Sequence, residues 1–126
     1  MELLKNMADT LTEYKKSVDH ILSDKPVPLL VTGLSHIHKA HFLASLSYEK
    51  IPSPILVITE SEASAAKLTE DINTMCGDMS AYQFPASDLM LTDTEAQSQE
   101  YEHRRIETLS AALSGKVKLI ISSSEA

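Results

Sequence analysis

The residue types most able to do chemistry lie in one short segment, Val31-Thr32-Gly33-Leu34-Ser35-His36-Ile37-His38-Lys39-Ala40. Phosphate-binding loops follow the pattern G-x-x-x-x-G-K-[ST], in which backbone N–H groups surround a phosphate and the hydroxyl ligates Mg²⁺. Gly33 and Lys39 match the first glycine and the lysine, whereas His38 replaces the second glycine and Ala40 replaces the hydroxyl residue. We therefore expect a degenerate phosphate loop, in which Gly33 and Lys39 are vestigial cofactor-binding residues.

Nucleotide hydrolysis also needs an acidic residue that holds Mg²⁺ at the end of a neighbouring strand. The strand-like runs downstream are followed by Thr59-Glu60-Ser61 and by Ser122-Ser123-Ser124, and neither sequence has that motif. We expect no catalytic residue in this chain and no cofactor bound to it. Weak residual phosphate binding, by Lys39 and the N-terminus of the following helix, is the alternative interpretation.

Three histidines crowd the same turn and could suggest a metal site: His36, His38 and His41. No carboxylate lies within this segment, so we interpret them as exposed histidines at the start of a helix and predict no metal ligand. The single cysteine, Cys76, has no recognisable histidine partner and is predicted to be a small buried residue.

A charged segment near the end of the chain could be taken for an acid/base site. Glu100 precedes Arg104 by four residues and Glu102 precedes Arg105 by three, so both pairs are predicted to be helical surface ion pairs. An apolar cluster, Leu89-Met90-Leu91, lies in the loop before this helix. It either docks on another domain or folds back on its own sheet.

The overall charge limits the classes of function. The chain has 11 Lys and Arg against 18 Asp and Glu, a net charge of −7, which argues against a stand-alone nucleic-acid binder. One cysteine excludes a disulfide framework and fits a reducing compartment. The sequence has no signal peptide and no apolar run near the roughly 18 residues of a membrane span. We expect a cytoplasmic location and no membrane partner.

Hydrophobic periodicity predicts the elements that position these residues. Short apolar runs predict buried strands at 27–32, 55–59, 79–84 and 117–122. Spacings of three and four residues predict an N-terminal helix within 1–24 and further helices over 35–49, 61–75 and 94–113. Ser61 is the predicted N-cap of the third helix and Gly77 its predicted C-terminal glycine.

Alternating strands and helices are typical of an α/β fold, because parallel strands need crossover helices. We predict an open parallel sheet of about four strands with helices on both faces. Residues 1–126 form a single domain, in which the N-terminal helix (1–24) precedes the α/β core (27–122). Because the sequence ends directly after a strand, we expect it to be the first part of a longer chain.

Several motifs resemble the amino-terminal region of the bacterial transcription-repair coupling factors (Mfd). The first is the degenerate loop at residues 31–35, and the others are Phe84-Pro85-Ala86-Ser87-Asp88-Leu89, Glu95-Ala96-Gln97-Ser98-Gln99-Glu100, Glu102-His103-Arg104-Arg105-Ile106-Glu107-Thr108-Leu109 and Leu119-Ile120-Ile121-Ser122-Ser123-Ser124-Glu125-Ala126. The resemblance extends from about residue 27 to the end and is most specific over 84–126.

This resemblance implies a P-loop, helicase-like topology similar to domain 1a of the excinuclease subunit UvrB. It implies a non-catalytic scaffold within an ATP-dependent DNA translocase, whose distant motor uses ATP and Mg²⁺. Such a parent displaces stalled RNA polymerase, contacts double-stranded DNA through other domains and recruits UvrA for nucleotide excision repair through an adjacent inserted domain. The alternatives are a fragment of a UvrB-like excinuclease subunit and an unrelated small nucleotide-binding α/β domain.

Overall fold

The computed structural model describes residues 10–23, 27–49, 51–86 and 95–126. Within these ranges it contains four helices and three strands, in the order α1 (Thr12–Leu22), α2 (His36–Leu46), β1 (Ile55–Thr59), α3 (Glu62–Cys76), β2 (Ala81–Phe84), α4 (Glu95–Leu113) and β3 (Leu119–Ser123). The predicted α/β class is confirmed. The predicted loop cluster at 89–91 lies outside the described residues.

The three strands form one parallel sheet in the order β1-β3-β2. Residues Ile55–Thr59 pair in register with Leu119–Ser123, and Ala81–Phe84 pair with the first four residues of the same strand. Since parallel neighbours require crossover connections, α3 joins β1 to β2 and α4 joins β2 to β3. The last strand in the sequence is therefore the central strand of the sheet.

The sheet has three strands and not four, because residues 27–32 form no strand. The sequence predicts a buried strand there, but Val27 is 58% exposed and Leu30 is 85% exposed. An apolar run becomes a strand only when a partner strand accepts its backbone hydrogen bonds. The segment lies across a groove from β1 and takes no place in the sheet.

Helix α3 covers one face of the sheet and contributes four of the nine buried residues of the main core. The buried residues of this core are Ala40, Ala44, Ala65, Leu68, Ile72, Cys76, Ala81, Leu119 and Ile121. Cys76 is buried, as its sequence context predicts. Helix α1 packs separately through Tyr14, whose ring meets that of Phe42 edge-on at 5.7 Å between centroids.

Helix α4 packs against β2 from the other face of the sheet. Thr108 of α4 is buried against Gln83, whereas Ile106, Leu109 and Leu113 on the same helix stay exposed. Helices on both faces match the prediction, although α4 covers its face only in part. Among the described residues, no helix combines the length and apolar character needed to cross a bilayer.

The ends of α3 match the predicted capping residues. The Ser61 hydroxyl accepts a hydrogen bond from the backbone N–H of Ser64 at 3.2 Å. Gly77 ends the helix at a φ of +70°, in the left-handed region that glycine adopts without the steric penalty of a Cβ atom.

Asn73 fastens β2 to α3 through two hydrogen bonds to one buried residue. Its Nδ2 donates to the carbonyl oxygen of Ala81 at 2.9 Å, and its Oδ1 accepts from the N–H of Ala81 at 2.9 Å. We expect Asn73→Ala to lower the free energy of unfolding by about 2 kcal/mol, because it leaves both backbone groups without these partners. Chemical denaturation monitored by circular dichroism measures this change.

Thr74→Ala is the matched control, because Thr74 is the exposed neighbour of Asn73 on the same helix. It should change the free energy of unfolding by no more than about 0.5 kcal/mol. Equal effects of the two substitutions would show that the Asn73 contacts do not stabilise β2.

Candidate functional site

Gly33 lies in the turn that leads into α2. Its φ is +81°, a conformation that residues with a Cβ atom adopt only with strain. No heavy atom lies within 4 Å of the position that a Cβ would occupy, so the backbone conformation, and not crowding, favours glycine here. The first glycine of the predicted loop therefore has a clear local role in the turn.

Ser35 caps the first turn of α2. Its side-chain oxygen accepts a hydrogen bond from the backbone N–H of His38 at 3.5 Å, and its carbonyl oxygen accepts one from the N–H of Lys39 at 2.9 Å. In a phosphate loop, N–H groups at the start of the helix face the bound phosphate. The Ser35 hydroxyl competes with any phosphate for the amide of His38.

Lys39 lines an open groove of about 260 Å³ between α2 and β1. Glu60, which follows β1, lines the same groove. A hydrogen bond from its own backbone N–H, followed by one from the Ser64 hydroxyl at 2.8 Å, lowers the pKa of Glu60. The charges of Lys39 and His36 lower it further. A carboxylate of lowered pKa therefore lines the same groove as Lys39, and its negative charge opposes the binding of an anion there.

Gly33 lies in the turn before α2 and Lys39 in the first turn of that helix, but the strand that the phosphate-loop pattern places before Gly33 is not formed. The capping hydroxyl of Ser35 and the carboxylate of Glu60 lie nearby and do not favour the binding of a phosphate. The vestigial role of both residues stays a prediction.

The three clustered histidines are not brought together as a metal site. His36 instead forms a contact of 3.1 Å between its Nε2 and the Oδ2 of Asp71, which joins α2 to α3. The described part of the chain contains no group of three or more His, Cys, Asp or Glu side chains placed to hold a metal ion.

Glu62 lies at the carboxyl end of the sheet, where open α/β folds bind their ligands. Its Oε2 accepts from Nε2 of Gln83 at 3.0 Å. Its Oε1 accepts from the backbone N–H of Ala86 at 2.8 Å and from the Ser123 hydroxyl at 2.5 Å. One carboxylate on α3 therefore holds the ends of both β2 and β3.

Two residues of α4 hold the same end of β2. Arg105 donates through Nη1 to the carbonyl oxygen of Pro85 at 2.7 Å, and its guanidinium lies 4.2 Å from the centroid of the Phe84 ring. Thr108 donates through Oγ1 to the carbonyl oxygen of Gln83 at 2.9 Å. The motif at residues 84–86 is thereby fixed by helices on both faces of the sheet.

The predicted ion pairs of α4 have different outcomes. Arg104 and Glu100 form the expected pair, with 2.7 Å between Nη2 and Oε1. Arg105 is predicted to pair with Glu102, but it turns instead to the carbonyl oxygen of Pro85. Helical spacing cannot reveal this contact, because the acceptor belongs to another element.

Sequence reasoning assigns no role to Glu62, Ser123 or Thr108. A signal for two of these residues exists, since Thr108 and Ser123 both lie in the segments on which the family resemblance rests. The resemblance includes these two residues, but it does not indicate which groups they form hydrogen bonds with.

Known proteins are similar to this chain in sequence. The chain is 33% identical over 93 residues to the transcription-repair-coupling factor of Staphylococcus epidermidis, a match that covers 74% of this chain and 8% of that protein. The chain is homologous to the transcription-repair-coupling factors. The factors of Staphylococcus haemolyticus and Staphylococcus aureus are each 34% identical to it, over 93 and 92 residues respectively. The predicted resemblance to this family is confirmed.

The transcription-repair-coupling factors that match are much longer than this chain, which spans about 8% of their length. No family model and no solved structure matches the chain.

We expect Glu62→Ala to lower the free energy of unfolding by about 2–3 kcal/mol, because the amide of Ala86 and the buried hydroxyl of Ser123 lose this acceptor. Denaturant titration measures this loss. Glu70→Ala removes an exposed carboxylate from the same helix and should change the free energy of unfolding by about 0.5 kcal/mol or less. If Glu70→Ala were as destabilising as Glu62→Ala, the loss would come from α3 in general and not from the bonds of Glu62.

Proposed function

We propose that this chain is a non-catalytic scaffold segment of a transcription-repair-coupling factor, acting in DNA repair in the bacterial cytoplasm. The observation that carries the proposal is the 33% identity to such a factor over 74% of the chain. The bonds of Glu62, Arg105 and Thr108 add to it, because they are contacts within the domain and give these polar residues a structural role.

The degenerate phosphate loop supports a scaffold role over an enzymatic one. His38 and Ala40 replace the glycine and hydroxyl of the intact pattern, the Ser35 hydroxyl accepts from the amide of His38, and Glu60 lines the same groove as Lys39. In this proposal the nucleotide chemistry belongs to the parent protein, whose distant motor binds ATP and Mg²⁺ and acts as a DNA translocase and hydrolase.

In this proposal, other domains of the parent protein contact its partners. We assign displacement of stalled RNA polymerase and contact with double-stranded DNA to other domains of the parent. Recruitment of UvrA is assigned to a domain inserted next to this segment, within a module of helicase-like, UvrB-like topology. The net charge of −7 agrees with this division, because a DNA-binding surface requires clustered cations.

A UvrB-like excinuclease subunit is the second candidate, and an unrelated nucleotide-binding domain is the third. The UvrB-like candidate needs a working phosphate loop in this segment, and so does the third candidate if it binds its nucleotide through this loop. His38 and Ala40 disfavour both, and the relatives named above favour the coupling factor.

We expect the 126-residue chain to show no Mg²⁺-dependent ATP hydrolysis and no tight ATP binding, because its loop lacks the Mg²⁺ hydroxyl and has a carboxylate beside Lys39. A phosphate-release assay and isothermal titration with ATP measure the two properties. Lys39→Ala should leave both results unchanged. Turnover in the unaltered chain that disappears in Lys39→Ala would contradict the proposal.

A chimera tests the scaffold role itself. In it, this chain replaces the matching segment of the Staphylococcus aureus factor, and repair of the transcribed strand is measured after ultraviolet damage. We expect the chimera to retain strand-preferential repair and Lys39→Ala within it to have no effect. Glu62→Ala should reduce the amount of folded chimera, and repair should fall in proportion. Loss of repair in Lys39→Ala at normal protein levels would overturn the scaffold proposal.

A further inference from the structure

The face of the sheet opposite α3 is covered only in part. Ile55 and Val57 of β1 pack against the core on the α3 side. Successive side chains of a strand point to opposite faces, so Leu56 and Ile58 project from the other face. They are 62% and 66% exposed, because α4 packs against β2 on that side. The β1 end of this face is therefore an apolar surface open to solvent.

A groove of about 320 Å³ lies on this face beside α4. Leu56, Ile58 and Ile120 line it from the sheet, and Leu109 lines it from α4. The described residues that line it have no charged side chain, although the chain as a whole has a net charge of −7. The groove therefore favours an apolar occupant.

The hydroxyl groups in this groove already have partners within the domain. Thr108 donates to the carbonyl oxygen of Gln83, and Ser122 donates to that of Phe84 at 2.9 Å. Ser123 donates to the carboxylate of Glu62. The lining therefore provides apolar contact and little free polar recognition, which suits the apolar stripe of a protein segment better than a polar small molecule.

The width of the uncovered strip fits one α-helix. β1 and β2 flank β3, so they lie two strand spacings apart, about 10 Å. Packed helices lie about 8–10 Å apart, so a helix over β1 would contact α4, which lies over β2. Ile106, Leu109 and Leu113 form an exposed stripe at helical spacing on α4, and such a stripe is typical of a helix that packs against another helix. Parallel sheets normally have helices over both faces.

The length of the related proteins indicates where such a helix would come from. The match covers 8% of the Staphylococcus epidermidis factor, so more than nine-tenths of that protein lies outside it. A segment of the same polypeptide is held near the groove at a high effective concentration, which a separate partner lacks.

We propose that an amphipathic α-helix from the remainder of the coupling factor packs over β1 beside α4. Its apolar stripe contacts Leu56 and Ile58 on the sheet and Leu109 and Leu113 on α4. This inference rests on the proposed function, because it requires this chain to be a segment of such a factor.

Cysteine labelling tests whether the groove is covered. Leu56→Cys places a thiol in the groove, and Thr74→Cys, on the solvent side of α3, is the matched control. We expect N-ethylmaleimide to modify position 56 about tenfold more slowly, or slower still, in the Staphylococcus aureus chimera than in the 126-residue chain. Position 74 should react at similar rates in both proteins. Peptide mass spectrometry separates these products from modification of the buried Cys76.

Photo-crosslinking identifies the occupant. Leu113→Cys carries a benzophenone maleimide at a position that is 91% exposed, so the label should leave folding intact. In the chimera we expect it to capture a peptide of the factor from outside the 126 residues, and the same label at position 74 should not capture that peptide. A cross-link only to residues of this chain, or only to a separate protein, would overturn the inference. So would a position 56 that reacts equally fast in both proteins, one already protected in the 126-residue chain, or equal slowing at positions 56 and 74.

The repair assay of the chimera keeps this result separate from the test of the proposed function. A chimera that repairs normally while position 56 stays reactive would overturn this inference alone. A chimera that fails to repair while position 56 is protected would overturn the scaffold proposal alone.

Discussion

The pairing of β3 with both of its neighbours is the constraint on which the rest of the structure depends. β1 and β2 do not touch each other in the sheet, and each forms its ladder only with β3. Leu119 and Ile121 of β3 are fully buried and belong to the same core cluster as the buried residues of α3. β3 is the last of these strands in the sequence, so the residues that pair with β1 lie about sixty positions further along the chain. Such non-local pairing makes the sheet the slow and cooperative step of folding.

The carboxyl end of the sheet is held by polar groups where an open α/β enzyme would place its ligand. Glu62 contributes from α3, Arg105 and Thr108 contribute from α4, and all three bind β2 or the residues after it. Their hydrogen-bonding groups are used inside the domain. Arg105 and Thr108, which lie in a segment on which the family resemblance rests, therefore have structural contacts within the domain.

The segment that resembles a degenerate phosphate loop has local structural roles. Gly33 makes the turn into α2, and Lys39 lines the groove next to β1. The Ser35 hydroxyl accepts from the amide of His38, and Glu60, whose pKa is lowered, lines the same groove as Lys39. Both features favour a stable start of the helix over the binding of an anion. The transcription-repair-coupling factors to which the chain is homologous are far longer than the chain, which spans about 8% of their length.

The sequence by itself determined the α/β class, the approximate bounds of seven elements, the caps at Ser61 and Gly77 and the family, because these depend on local spacing and short motifs. Tertiary structure alone decided the strand order, the partners of Glu62 and Arg105, and the failure of residues 27–32 to join the sheet. The reason is physical. The sequence shows the local structural preference of an apolar run or a charged side chain. A hydrogen bond also requires a partner, which distant parts of the chain bring within reach only in the folded structure.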